Sequence, residues 1–317
     1  MIQRDVTVAP LSQLYHPKKD EQVKQIQAGV LNVAYRDLGP AEGPAVVLLH
    51  GFPYDIRAYD AVAERITAAG CRCIVPYLRG YGGTHFVDAN TPRSGEQAAL
   101  GSDLLALLDA LKIPQAVLAG YDWGGRAACV VSALWPERVV GMVSCEPGYN
   151  VQDIAHATRP AAPQAEQRLW YQYYLHGARG YAGLEADRDA FCKLLWQLWS
   201  PTWAFTDEVF LASAQSFHTL DFVDVVTHSY RHRFGLVDGD AQYAAIEQRL
   251  AKQPVIAVPT VILAGACDGV TPVQDEQQAL RRFSAPVRRS ILEGVGHNVP
   301  QEAPEAFARA VLSLSGP

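Results

Sequence analysis

The chain has 317 residues, of which 49% are hydrophobic and 19% charged, and a formal net charge of -6. That length exceeds one average domain and suits a single large α/β domain carrying an insertion. The acidic balance leaves no overall basic field for nucleic acid or an anionic membrane, and six cysteines are too sparse for a disulfide scaffold.

The N-terminal stretch "MIQRDVTVAPLSQLYHPKK" has no apolar core of signal-peptide length, and no later run approaches a membrane span, so a cytoplasmic location is expected. From about residue 28 to 145 short β-rich runs alternate with helical patterns, which argues for βα units on a mostly parallel sheet. Strands are expected in "VLNVAYRDL", "AVVLLH", "CRCIVPY", "QAVLAGY" and "VVGMVSC", and helices in "YDAVAERITAAG", "EQAALGSDLLALLDAL" and "GGRAACVVSALW". Cys71 and Cys73 alternate within one of these strands, a pattern of buried thiols, and no metal-ligand spacing stands out along the chain.

The alternation stops near Pro147. To about Lys252 the pattern is mainly helical and aromatic, with "RLWYQYYLHG", "FCKLLWQLWSPTWAF" and "DFVDVVTHSYRHRFG". An inserted helical cap of this kind would supply an apolar lining and exclude water. Its Trp170, Trp196, Trp199, Trp203, Phe205 and Phe217 either line a pocket or form the cap's own core. Beyond it "VPTVILAG" reads as a strand, "DEQQALRRF" as a helix, "RRSILEG" as a strand and "PEAFARAVLSL" as a closing helix. The expected organisation is therefore a core in residues 1–147, a cap in 148–252 and the rest of the core in 253–317, with no internal repeat.

One turn carries the chemistry. In "LAGYDWGGRAA" a strand gives way at once to a helix, and a Gly-x-nucleophile-x-Gly pattern there lifts its middle side chain above the sheet edge. That side chain is Asp122. A carboxylate attacking a carbonyl would give a labile anhydride, whereas attack on saturated carbon gives an alkyl ester, so an epoxide or a carbon–halogen bond is the expected target. An ordinary helix N-cap is the plain alternative for Asp122, but it does not call for the crowding of Gly120, Gly124 and Gly125 around the turn.

"HGFP" after one strand, "RGYGGT" after the next, "GYDWGG", a helical insertion, "CDGVTP" and "GVGHNVPQEAP" follow in order at strand ends. Together they resemble the α/β-hydrolase superfamily and, within it, the epoxide hydrolases and their dehalogenase relatives, over nearly the whole chain. The resemblance implies the α/β-hydrolase fold: a mostly parallel central sheet flanked by helices, with an inserted helical cap. It implies Asp122 as nucleophile, His297 as the base that activates water against the ester, and Asp268 as the acid that orients His297. Glu146 in "SCEPGYN" stands where some dehalogenases place their acid; Asp268 is preferred because its Asp-Gly loop matches the epoxide-hydrolase arrangement without a length change. The backbone N–H groups of Phe52 and Trp123 would form an oxyanion hole, with a cis bond between Phe52 and Pro53.

The cap stretches "WYQYYLHGARGYAGL" and "HSYRHR" resemble those whose tyrosines contact the ring oxygen, which maps that role onto Tyr171 and Tyr230. Phe52, Trp123 and Arg126 are the expected substrate contacts. Haloacetate dehalogenases share an arginine four residues after the nucleophile, where it holds the substrate carboxylate. This chain departs from them in having Trp123 directly after Asp122 and Tyr171-Gln172 in the cap, and Phe52 offers no side-chain donor to a halide. Arg126 leaves room for an acidic epoxide, although a solvated arginine on the helix face is its ordinary explanation. The expectation is a cofactor-independent, metal-free epoxide hydrolase acting on a small-molecule epoxide with water. Neither nucleic acid nor a membrane is an expected partner, which leaves at most a second copy in a homodimer. The alternatives are a haloacid or haloalkane dehalogenase, a non-catalytic binding protein on the same fold and, more weakly, an esterase.

Overall fold

The computed structural model describes residues 23–316, so the stretch read above for a targeting signal and the first residues of the expected core lie outside the described residues. Nine strands make one sheet: β1 (Lys24–Ala28), β2 (Leu31–Leu38), β3 (Ala45–Leu49), β4 (Arg72–Pro76), β5 (His85–Phe86), β6 (Ala116–Gly120), β7 (Val139–Cys145), β8 (Thr260–Gly265) and β9 (Val287–Leu292). Their order is β1-β2-β4-β3-β6-β7-β8-β9, with β5 paired to β2 off this path. The β1–β2, β2–β4 and β2–β5 pairs are antiparallel, and every pair from β4–β3 to β8–β9 is parallel. Parallel strands covered on both faces read as unbroken apolar runs, and β6 and β8 are buried at every residue. The edge strand β9 alternates between half-buried and exposed residues instead.

β1 escapes an apolar-pattern search because its sequence, KQIQA, is mostly polar and exposed; it is held by pairing with β2, Lys24 opposite Tyr35. The helices of the core are α1 (Asp60–Ala68), α2 (Gln97–Ala110) and α3 (Asp122–Leu134) before the insertion. α2 packs on α3, and α3 also lies against β3, β6 and β7. The helix expected from Gly124 starts two residues earlier, at Asp122 itself.

Between β7 and β8 come seven helices: α4 (Pro163–Arg168), α5 (Trp170–Tyr174), α6 (Ala178–Ala186), α7 (Arg188–Trp199), α8 (Asp207–Ala214), α9 (Phe222–Arg233) and α10 (Ala244–Leu250). Buried polar links fasten this insertion to the strand ends. The Trp196 indole donates to the Pro53 carbonyl at 2.7 Å, Ser213 donates to the wholly buried Asp55 at 2.7 Å, and Thr219 donates to the Gly80 carbonyl at 2.7 Å. The chain closes with α11 (Glu276–Leu280), α12 (Val299–Glu302) and α13 (Pro304–Leu312), the last packed on α1. α11 is shorter than the "DEQQALRRF" pattern suggests, because the chain turns at Arg281–Phe283 to bridge Ile256. Cys71 and Cys73 are buried free thiols, and no described helix is long and apolar enough to cross a membrane.

Candidate active site

The parallel strands β3, β6 and β8 end on one rim of the sheet, and the loops leaving them bring the singled-out residues together. At the end of β6 the chain turns so sharply that Asp122 adopts φ +49°, the left-handed region that a non-glycine residue occupies only when its surroundings hold it there. The turn needs glycine beside it. A Cβ on Gly120 would lie 2.5 Å from the Gly124 carbonyl carbon, and one on Gly124 would lie 1.9 Å from the Leu49 oxygen. Without those side chains the start of α3 presses directly on the end of β3, and Asp122 is lifted towards the insertion.

The "HGFP" turn meets it from β3. The Phe52 amide donates to Asp122 Oδ1 at 2.8 Å, and the Phe52–Pro53 bond is cis. His50 pins this turn from behind: its Nδ1 bonds the Gly51 carbonyl at 3.0 Å and its Nε2 accepts from the Leu78 amide at 3.1 Å. Complete burial lowers the His50 pKa to about 4, so it stays neutral in this role. The Trp123 amide sits in the first turn of α3, where helix N–H groups lack an intrahelical partner. Asn150 donates to the Asp122 backbone carbonyl at 2.8 Å, which ties the residues after β7 to the same turn.

His297 lies in the loop beyond β9. Its Nδ1 is 2.7 Å from Asp268 Oδ2, and Asp268 Oδ1 accepts from the Val270 and Thr271 amides at 2.9 and 2.8 Å. His297 Nε2, the nitrogen opposite Asp268, is buried without a hydrogen-bond partner among the described residues. Burial alone would lower its pKa; the charge and hydrogen bond of Asp268, with Asp122 and Glu302, carry it above the ordinary histidine value. Ser200 braces this loop, accepting from the His297 amide at 3.0 Å while donating to Glu302 at 2.6 Å. Glu146 is occupied elsewhere: both its oxygens take Arg289 at 3.1 Å, and Oε1 also accepts from the Gln274 amide at 2.9 Å.

The opposite wall comes from the insertion. Tyr171 on α5 and Tyr230 on α9 meet edge to face, ring centroids 5.3 Å apart at 87°, and both pack on Phe52. Phe52 stacks on Trp123 at 5.6 Å, and the buried Trp123 indole N–H has no acceptor among the described residues. Burial raises the hydroxyl pKa of Tyr171 to about 12 despite the nearby Arg233 charge, and raises that of Tyr230 well above the ordinary value. Gln172 donates to the Tyr171 hydroxyl oxygen at 2.8 Å while its carbonyl accepts from Arg233 at 3.2 Å. The Arg233 guanidinium also lies 4.9 Å from the Tyr230 ring centre.

The aromatic residues of the insertion divide into two groups. Trp199 touches His297 at 5.1 Å and Tyr171 at 5.0 Å, so it faces the site. Trp203 and Phe205 pack on Trp196, whose ring also stacks on Tyr54 of the sheet side at 4.7 Å and so seats the insertion on the core; Trp170 packs on Tyr174 and Phe191, and Phe217 packs on Phe222. Arg126 corrects the sequence expectation. It is 4% exposed, not a solvated residue on a helix face, and has no hydrogen-bond or ion-pair partner among the described residues. Burial, then the like charge of Arg233, lower its pKa to about 10. Both arginines border a depression of about 320 Å³ that also includes Asn150 and Gln152.

Gln172, Arg233, Asn150, Ser200 and Phe222, which stacks on Phe52 at 6.3 Å, were not anticipated. Only Gln172 had a signal, as the neighbour of Tyr171; the others depend on which helix faces meet.

A model described as alpha/beta hydrolase fold matches residues 44–304. A Caballeronia sordidicola protein named epoxide hydrolase is 36% identical over 119 residues, which span 37% of this chain and 35% of that protein. The match thus spans about a third of that curated relative's length. Epoxide hydrolase A of Mycobacterium tuberculosis is 24% identical over 305 residues, 88% of this chain and 92% of its own. The crystal structure of a "putative epoxide hydrolase" from Klebsiella pneumoniae superposes with TM-score 0.91 at 45% identity, covering 93% of this chain and 97% of the other.

Proposed function

The chain belongs to the α/β-hydrolase fold family, and from that premise we propose that it is an epoxide hydrolase, converting an epoxide to a vicinal diol through an ester on Asp122. What carries this reading is three groups close enough for the Asp122 charge to act on the other two: the Asp122 carboxylate on its φ +49° turn, a His297–Asp268 pair with its far nitrogen unpartnered, and two buried tyrosines from the insertion. A carboxylate is ionised at neutral pH and needs no base to attack. An Asp122 oxygen bonds to one ring carbon, the carbon–oxygen bond breaks, and the departing oxygen takes a proton from Tyr171 or Tyr230. His297 Nε2 then takes a proton from water, whose oxygen adds to the Asp122 carboxyl carbon. The amides of Phe52 and Trp123 hold the resulting oxyanion. The bond from the Asp122 carboxyl carbon to the alkyl oxygen breaks, His297 gives its proton to that leaving oxygen, and the diol departs with an oxygen that began on Asp122; the second proton of the water restores the tyrosine hydroxyl, and the water oxygen stays in the carboxylate.

In this reading residues 148–252 act as a cap over a core formed by the described residues on either side of them in the chain, and water is excluded by Phe52, Trp123, Trp199 and the two tyrosines. No step calls for a cofactor. A cytoplasmic location suits a small-molecule substrate. The buried Arg126 supports an epoxide that carries an acidic group, since a buried guanidinium with no hydrogen-bond or ion-pair partner is costly.

A second reading is supported by the same Arg126 together with the unpartnered Trp123 indole: the nucleophile would displace halide from a haloacid. One experiment separates the two. The His297→Gln variant is incubated with styrene oxide and, separately, with chloroacetate, and intact mass is measured. A gain equal to the whole epoxide, mapped to Asp122, is expected. An adduct from chloroacetate alone, with chloride released, would replace the proposal with the dehalogenase reading, and no adduct from either would remove the ester mechanism.

A further inference from the structure

Away from Asp122, the insertion meets the start of α2 in a cluster of Glu96, His232 on α9 and Glu247 on α10, one ligand atom of each lying within 4.8 Å of the others. We propose that these three residues bind a divalent transition-metal ion, of the zinc class, which pins α9 and α10 to the core. The inference is independent of the proposed reaction.

Glu96 is 1% exposed, and its two oxygens are treated unequally. Oε1 is saturated, accepting from the Ser94 hydroxyl at 2.6 Å and the Asp240 amide at 2.7 Å. Oε2 has no hydrogen-bond partner among the described residues, and it faces His232 Nε2 at 3.7 Å. That separation is too long for a hydrogen bond. It does suit two ligands on one ion: with metal–ligand bonds of about 2.1 Å, it corresponds to an angle of roughly 120° at the metal.

Glu247 is oriented for the third position, one oxygen accepting from the Ala98 amide and the other from the Gln97 side chain, each at 3.0 Å. It is only half-buried, which leaves a side for water and for entry of the ion. Neighbouring groups are already engaged. Arg79 is held by Asp103 through two bonds of 2.6 and 2.7 Å, and both nitrogens of His228 are bonded, to the Gly95 amide and the Asp238 carbonyl. Gly239 packs closely on the pair: a Cβ there would lie 2.2 Å from Glu96 Oε2 and 2.9 Å from His232 Nε2, so any side chain at this position would push the two ligand groups out of place. Since the three ligands come from positions 96, 232 and 247, no local spacing in the sequence announces them.

The test is a zinc chloride titration of the full chain after chelator treatment, read by calorimetry and by melting temperature. One zinc per chain is expected, with a melting temperature that rises on zinc and returns on chelation. Glu96→Gln, which keeps the shape but removes the free lone pair, and Gly239→Ala, which keeps all three ligand residues but displaces the Glu96 and His232 side chains, are each expected to weaken binding at least about tenfold. Both variants are first compared with wild type in chelator, so that a fold defect is separated from a lost site. Absence of zinc uptake by the wild type, or equal uptake by wild type and both variants, overturns the proposal. A zinc-edge anomalous peak anywhere other than between Glu96 and His232 does so as well.

Discussion

The two walls of the site are built by different means. The sheet wall is made by backbone: the φ +49° turn at Asp122, the Phe52 amide on its carboxylate, and the Val270 and Thr271 amides on Asp268. The insertion wall is made by side chains packing on side chains, Tyr171 against Tyr230 and Trp199, with Gln172 and Arg233 behind them. Backbone geometry fixes a group to within tenths of an ångström and tolerates little change. A packed aromatic wall with two hydroxyls has a spare member. The comparison therefore predicts all-or-none effects on one side and graded effects on the other.

The largest effect is expected at Asp122. Asp122→Asn should lower kcat with an epoxide by on the order of 10⁴-fold or more, and with it the formation of any adduct. His297→Gln should be as slow in turnover yet still form the adduct, because it acts only on the ester. A single turnover in ¹⁸O-water should then give unlabelled diol from the wild type, the label entering Asp122 instead. Tyr171→Phe and Tyr230→Phe should each cost about 10- to 10²-fold in kcat/KM, and both together on the order of 10³-fold or more, the range of a lost general acid. If either single tyrosine change matched Asp122→Asn, the two walls would be equally unforgiving and the comparison would fail.

How far each wall could be read from the sequence follows from the same difference. Turns at strand ends leave local marks, because they demand glycine at named positions: "GYDWGG" marks Asp122 through Gly120 and Gly124, whose side chains would strike Gly124 and Leu49. The central parallel strands β6 and β8 were equally legible, being buried along their whole length, whereas the polar edge strand β1 was not. The insertion's aromatic residues offered no such mark. Trp196 and Trp199 sit three residues apart on α7, yet one seats the insertion on Tyr54 and Pro53 and the other touches His297. Arg126 was misjudged for a related reason: a charged residue on a helix is usually solvated, and only the meeting of α3 with the insertion buries it.

A smaller effect should appear in the titration of His297. Its pKa is raised by Asp268 and, further down, by Asp122, against the lowering effect of burial. Asp122→Asn removes one of those negative charges, so the imidazole should titrate at lower pH in the variant, measurable by NMR of the ring protons. The ester intermediate has lost the same charge. The acid limb of kcat should therefore lie below the pH at which His297 titrates in the free protein. The sign for stability is also fixed: a raised histidine pKa contributes stability that is full below the unfolded value and is lost as pH rises through the folded one. An unchanged His297 titration in Asp122→Asn would mean that the two groups do not sense one another across the site.

The smallest effect tests the insertion wall alone. Gln172 donates to the Tyr171 oxygen and accepts from Arg233, so it spends a lone pair of the phenol and leaves the phenol's own proton to point elsewhere. In the proposed reaction that proton goes to the ring oxygen, and the Gln172 N–H steadies the phenolate left behind. Gln172→Leu keeps the volume and removes both bonds. Its expected cost is about 3- to 10-fold in kcat with little change in KM, since a neutral hydrogen bond contributes about 1 kcal/mol. The Tyr171 hydroxyl, already raised to about 12 by burial and held down in part by this bond, should titrate higher still. A purely structural Gln172 would move stability and KM and leave the alkaline titration where it was. If instead kcat fell a hundredfold, the hydroxyl would depend on a single fixed donor as strictly as Asp122 depends on its turn, and the insertion wall would be as exactingly positioned as the sheet.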